Sequence, residues 1–243
     1  MSDRDQRVAL TFALPAESSD FVRLLVKPVS TYTGDRIEII HGQIHGRSVS
    51  VLHTGVGEKR CRSRIESFLQ EASYRYLIST GFAGALDQHL QTGNLLIAKN
   101  FSSLELLRSP QLDRIANHCV LGKLTTVPKI IATESERDRW ARESGAVAVD
   151  METEFIANAC TAHGVPMLSL RVISDTPSEP LPAPPEILFD IEKQRTNFGQ
   201  LAYHLVTNPT AFKRLTAFRR QVALARRSLT AALDLLFQVD LID

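Results

Sequence analysis

Short runs of β-branched and apolar residues, each followed by a stretch with helical spacing, recur along this chain and leave little room for anything but a layered α/β domain. Val8–Leu14 reads as a buried first strand that Pro15 ends. Ile37–His41 and Gln43–His45 flank Gly42 as a hairpin, and Arg47–Thr54 resumes as a third strand. Gly55-Val-Gly57 opens a helix with Ile65, Phe68 and Leu69 at helical spacing. Tyr76–Thr80 is the next strand, and the small-residue segment Gly81-Phe-Ala-Gly84 predicts a loop after it. Asn94–Ala98 is strand-like, and Thr133–Glu143 is polar and helical. Ala146–Val149 is a strand leading into a helix from Met151 to His163, which Gly164 and Pro166 stop before the very apolar strand Met167–Ser174.

Five of the 11 prolines fall between Pro177 and Pro185, so an irregular loop or flap is expected there. Helices over Glu186–Val206 and Pro209–Phe237 complete the expectation. The 243 residues suit one large domain. We read it as a catalytic domain over 1–208 extended by a basic amphipathic helix within 209–243.

Charge narrows the function classes. Lys and Arg number 28 against 27 Asp and Glu, a net of +1, which excludes a strongly basic nucleic-acid binder. Cys61, Cys119 and Cys160 lie far apart with no metal-binding spacing and read as reduced core residues. The first seven residues are polar, no apolar run is long enough to cross a bilayer, and a cytoplasmic location is expected. Phosphate-loop, nucleophile-elbow and zinc-helix motifs are absent.

What remains are acids at strand ends. Glu17 follows the first strand in Ala13-Leu-Pro-Ala-Glu17. Val149-Asp-Met-Glu-Thr153 places Asp150 and Glu152 where a strand becomes a helix. A carboxylate in a first helical turn is favoured by the helix dipole, so Glu152 is expected to stay ionised and to accept hydrogen bonds from sugar hydroxyls, unless these acids merely cap the helix. Asp175 ends Leu170-Arg-Val-Ile-Ser-Asp175, where partial desolvation would favour its neutral form and leave a proton to donate, unless it only caps the turn before Pro177. Ligands of open α/β sheets sit at the carboxyl ends of strands, which is where all three acids fall. Gly55, Gly57 and Arg60 form a turn whose N–H groups could cradle an anion, though without the third glycine of a dinucleotide fingerprint.

In order and spacing, Ala13–Glu17, Thr54-Gly-Val-Gly57, Thr80-Gly-Phe-Ala-Gly84, Val149-Asp-Met-Glu152 and Arg171-Val-Ile-Ser-Asp175 resemble the nucleoside phosphorylase/nucleosidase superfamily, in particular its methylthioadenosine/S-adenosylhomocysteine nucleosidase-like branch. The resemblance implies an α/β fold with a central mixed, partly barrel-like sheet flanked by helices. It also implies a homo-oligomer, dimer or larger, and cleavage of the N-glycosidic bond of a purine nucleoside of adenine type. Asp175 would then protonate the departing base. Glu152, with Met151 beside it, would grip the ribose hydroxyls. Glu17 would activate water, with Arg171 nearby, and Phe82, Ala83, Gly84, Ser174 and Ile130 would line the pocket. No metal or organic cofactor is implied, while inorganic phosphate as co-substrate stays open beside water. The segment Val127-Pro-Lys-Ile-Ile131 departs from the branch's usual Ser-Gly-Asp-Phe pattern.

Ser174-Asp-Thr-Pro177, Leu181-Pro182, the Gly55–Arg60 turn and the Arg-rich tail are similar to hopanoid-associated nucleoside phosphorylases, which implies adenosylhopane as an alternative substrate. A non-catalytic nucleoside-binding protein is a further alternative. The tail itself carries six basic residues and no acid between Pro209 and Thr230, leaving the rest of the chain at −5. With Phe212, Leu215, Phe218, Val222, Leu229, Leu233 and Leu236 near one stripe, this helix either docks on the domain or a partner subunit, or rests on an anionic membrane surface such as the inner membrane.

Overall fold

The computed structural model describes residues 7–179, 182–188, 190, 192, 194, 207–239 and 241. The helix expected over Glu186–Val206 lies mostly outside them, apart from a turn at Pro185–Leu188, and so does part of the proline-rich flap.

The chain order is β1 (Val8–Phe12), α1 (Pro15–Val22), β2 (Val26–Tyr32), β3 (Glu38–Ile44), β4 (Arg47–His53), α2 (Glu58–Glu71), β5 (Tyr76–Ala85) and β6 (Leu95–Ala98). Two short helices, α3 (Leu104–Leu107) and α4 (Asp113–Ala116), precede β7 (Cys119–Gly122), β8 (Leu124–Thr126), α5 (Glu134–Ser144), β9 (Ala148–Asp150), α6 (Thr153–His163) and β10 (Met167–Asp175). The C-terminal helix spans Pro209–Phe237. Among the described residues one sheet runs β2-β3-β4-β1-β5-β10-β6-β7, with β9 added to β5 and β8 to β9. Strands β4, β1, β5 and β10 are mutually parallel, and β2-β3-β4, β5-β9 and β10-β6 are antiparallel.

The parallel centre is buried on both faces, which is why its strands read as continuous apolar runs. One face packs Leu10, Phe12, Ile78, Leu170 and Val172 against Phe21 of α1 and against Leu229, Leu233 and Phe237 of the C-terminal helix. The other packs Ala9, Leu52, Leu77 and Met167 against Ile65 and Phe68 of α2 and Ile156 of α6. Cys61 and Cys160 are buried and Cys119 partly so; none is disulfide-bonded, and burial pushes the Cys119 and Cys160 thiols up to about 12.

Two expectations are corrected, and one strand is added. The hairpin turns at His45-Gly46, both at positive φ, and not at Gly42. Gly42 instead lies inside β3, where an added Cβ would stand 3.0 Å from the Leu25 side chain. Edge strand β2 was not anticipated, because Val26-Lys-Pro-Val-Ser-Thr-Tyr32 is exposed throughout and contains a proline. Gly81-Phe-Ala-Gly84 is not a loop: β5 continues through it to Ala85, paired with β10 up to Gly84.

Candidate active site

The extended second half of β5 sets the site. Gly81, at φ +146°, brings bare backbone up to a buried cluster: an added Cβ would lie 3.0 Å from Arg171 Nη1 and 3.1 Å from Glu17 Oε2. Glu17 sits in the first turn of α1, its carboxylate oxygens accepting from the N–H groups of Ala13 (2.7 Å), Leu14 (3.1 Å) and Phe82 (3.1 Å). Burial raises its proton affinity despite these donors and the Arg171 guanidinium.

Arg171 is buried. Its Nη2 donates to Thr153 Oγ1 (2.6 Å) and Ser79 Oγ (2.8 Å) and lies 3.2 Å from Asp150 Oδ2. Asp150 in turn accepts from the Thr153 N–H at 3.1 Å, capping α6, and from Thr126 Oγ1 at 2.8 Å. Glu152 precedes that helix and is not in its first turn; its Oε1 accepts from the Gly57 N–H at 2.9 Å. Its buried carboxyl, facing Asp150 and Glu17, is pushed up to about 8 by burial first and by Asp150 second. The expectation of a persistently ionised Glu152 is therefore corrected. Three buried carboxyls, Glu17, Asp150 and Glu152, feel a single guanidinium, so full ionisation would leave two uncompensated negative charges in a low-dielectric site.

Asp175 closes β10, past an irregularity in the ladder between Ile173 and Asp175. Its Oδ1 accepts from Ser174 Oγ at 2.7 Å, and its Oδ2 is ion-paired with Arg137. The sequence gives no sign of this arginine as the partner of Asp175. Gly84 lies directly beneath the pair, where a Cβ would come within 3.1 Å of Asp175 Oδ2 and 3.2 Å of Arg137 Nη1. Met151 packs with Val127, Ile131, Val149, Val56 and Ile130 into one apolar cluster. Phe82 and Ala83 belong to the neighbouring cores.

The glycine turn does donate to a carboxyl oxygen, but one of the chain's own. Gly57 N–H goes to Glu152, Gly55 N–H to the Ala13 carbonyl (2.9 Å), and Val56 N–H to Gln194 Oε1 (2.7 Å). Arg60 donates to the Glu192 carbonyl at 2.8 Å. The turn's amide donors and Arg60, put forward as a phosphate cradle, thus all have internal partners.

The phosphorylase superfamily model matches residues 7–121 and 104–207. This chain belongs to the phosphorylase superfamily. Within it, the chain is 23% identical over 167 residues to the 5'-methylthioadenosine/S-adenosylhomocysteine nucleosidase of Staphylococcus haemolyticus, covering 57% of this chain and 73% of that protein. It is 24% identical over 205 residues to the enzyme of the same name from Shewanella frigidimarina, covering 72% and 89%. Among solved structures, the S. pneumoniae 5'-methylthioadenosine/S-adenosylhomocysteine nucleosidase with a transition-state inhibitor aligns at TM-score 0.71 and 17% identity, over 96% of this chain and 98% of that one. Native futalosine hydrolase of Helicobacter pylori aligns at 0.69 and 18%, over 97% and 98%. These structures share the superfamily fold, with its mixed sheet between helical layers.

Seen as a superfamily member, the chain places Glu17 and Glu152, just past the carboxyl ends of β1 and β9, in one cluster with Arg171 from the middle of β10, and Asp175 ends β10 beside Gly84. Arg171 lies behind the acids as their shared counter-charge and is only 3% exposed. Asp150 was legible only as a cap, and it is both a cap and the partner of Arg171.

Proposed function

We propose that this protein hydrolyses the N-glycosidic bond of an adenine-type purine nucleoside. The observation that carries the reading is the set of separately held carboxyls around the bare backbone of β5. Asp175 beside Gly84 is placed to deliver a proton to the base as the C–N electron pair leaves with it. Glu152, once ionised against bound substrate, accepts from ribose hydroxyls and offsets the positive charge that builds on the sugar ring. Glu17 takes a proton from the attacking water; burial makes it a stronger base than an ordinary carboxylate. Met151, Ile130 and Val56 supply an apolar wall.

Water is favoured over phosphate as nucleophile because the N–H groups of Gly55, Val56 and Gly57 are already engaged inside the chain and the Arg60 guanidinium is turned onto the Glu192 carbonyl. The names of the relatives point the same way. No metal or organic cofactor enters this chemistry, and a homo-oligomer, dimer or larger, in the cytoplasm is part of the proposal. Incubation with methylthioadenosine, S-adenosylhomocysteine, inosine and adenosylhopane, each with and without phosphate, tests it. Free sugar at a phosphate-independent rate from an adenine nucleoside is expected; sugar 1-phosphate, or no turnover of any of the four, would overturn it.

A second reading concerns location. No helix of the described residues is long and apolar enough to cross a membrane. The C-terminal helix is nevertheless split: Ala225, Leu229, Leu233 and Phe237 are buried, whereas Phe212 is 63% exposed beside exposed Lys213, Arg214, Arg219 and Arg220. We propose that this half rests on an anionic bilayer surface. Flotation with phosphatidylserine-containing vesicles should be lost when those four cations become Gln, with turnover unchanged; equal flotation of both proteins refutes it. Truncation after Asn208 would be a poor test, because it also removes Phe237 from the core.

A further inference from the structure

We propose that Arg137 is the positioning residue for proton delivery to the departing base, holding the Asp175 carboxyl in place and stabilising the aspartate that remains once its proton has gone. The inference rests on the nucleoside-cleaving reading above. Helix α5, Glu-Ser-Glu-Arg-Asp-Arg-Trp-Ala-Arg-Glu-Ser, is polar apart from Trp140 and Ala141, which pack on the core, and Arg137 is its fully buried residue, at 3% exposure. The helix start is fixed by Thr133, whose hydroxyl accepts from the Glu136 N–H and whose carbonyl accepts from the Arg137 N–H at 3.1 Å.

The guanidinium is then tied at three points. Nη1 donates to the Ala85 carbonyl at 2.7 Å, and Nη2 donates to the Ile131 carbonyl at 3.2 Å and to Asp175 Oδ2. One fork thus joins the end of β5, the segment before α5 and the end of β10. Asp175 needs such an anchor, because the β10 ladder is irregular on reaching it. Ser174 Oγ holds the other carboxylate oxygen at 2.7 Å, so the carboxyl plane is fixed from both sides. The Asp175 side chain keeps 17% exposure, whereas that of Arg137 keeps 4%, so the aspartate and not the arginine faces the ligand space.

The energetic consequence follows from the order of events. In the free protein Asp175 is the carboxylate partner of Arg137; it takes up a proton from water, through its exposed edge, as the nucleoside binds, while Arg137 Nη2 stays on as a donor. As the glycosidic bond breaks, that proton moves to a ring nitrogen of the base and the negative charge returns to Asp175. The attraction of Arg137 is greater for that charged carboxylate than for the acid, so it is stronger in the transition state than in the ground state. A purely structural arginine would contribute nothing that depends on the leaving group.

The test uses full-length Arg137→Met and Arg137→Lys with two substrates: methylthioadenosine, whose base leaves best when protonated, and p-nitrophenyl β-D-ribofuranoside, whose phenolate leaves unprotonated. Arg137→Met should lower kcat on methylthioadenosine by about 10²-fold or more, with KM little changed, while the nitrophenyl riboside stays within about threefold of wild type. Arg137→Lys should recover part of the loss, and added guanidinium ion should partly rescue Arg137→Met. Equal losses on both substrates without rescue would make the arginine structural and overturn the inference; undiminished purine cleavage would do the same. Asp175→Asn separates the two levels. If it loses purine cleavage while Arg137→Met and Arg137→Lys do not, only this inference falls; if Asp175→Asn is itself fully active, the reading beneath it falls.

Discussion

Asp175→Asn is expected to lower kcat for methylthioadenosine by about 10²–10⁴-fold while substrate still binds. The amide has nearly the shape of the carboxyl, and its oxygen can still accept from Ser174 Oγ or from Arg137. What it lacks is a proton to give. The departing purine must then leave as an anion, which raises the barrier without altering the pocket that Met151, Ile130 and Gly84 help to form. Adenine release measured beside calorimetric binding separates the two effects. An unimpaired kcat would remove Asp175 from the chemistry.

Glu152→Gln is expected to lower activity by about 10²-fold or more and, at neutral pH, to make the protein more stable. The glutamine oxygen can still accept from the Gly57 N–H, so the glycine turn keeps its partner. The charge conflict disappears, because a neutral side chain no longer competes with Asp150 and Glu17 for the field of Arg171. The sign follows from linkage. Folded Glu152 holds its proton up to about pH 8, against an ordinary value of 4.5, so between these values the folded state binds more protons than the unfolded one. Wild-type stability derived from this group is complete below about pH 4.5 and is lost as pH rises through about 8. Melting temperatures of the two proteins should therefore diverge between pH 5 and pH 8, with the glutamine variant ahead. Parallel curves would show that Glu152 carries no such burden.

Much of this was legible in the sequence because the informative residues lie at punctuation points. Glu17 follows a strand and a proline, Glu152 stands at a strand-to-helix junction, and Asp175 ends an apolar run. Position along an element gives away a strand-end acid, but not a buried arginine in a polar helix. Arg137 is flanked by Glu136, Asp138 and Arg139, and its charge masks the one local signal, that it lies three and four residues before Trp140 and Ala141, which pack on the core from the same helix. The role of Gly81-Phe-Ala-Gly84 was misjudged for a related reason. Glycines usually mark loops, yet here they stay in the strand so that backbone can approach Glu17, Arg171 and Asp175 without a Cβ between them. The state of Glu152 was likewise invisible, since it depends on burial beside Asp150 and on a guanidinium contributed from β10.

The way the C-terminal helix seals the first core has a consequence for synthesis. Leu233, Leu236 and Phe237 pack with residues of β1 and with Phe21 of α1, more than 200 positions earlier in the chain. On the ribosome the first strand emerges more than 200 residues before the side chains that cover one of its faces. Until then Leu10 and Phe12 have no final lining on that side, and contacts so distant in sequence form slowly. Completion of the native state therefore waits until synthesis has passed Phe237, and a chain stalled short of Leu233 exposes an apolar surface to chaperones and proteases.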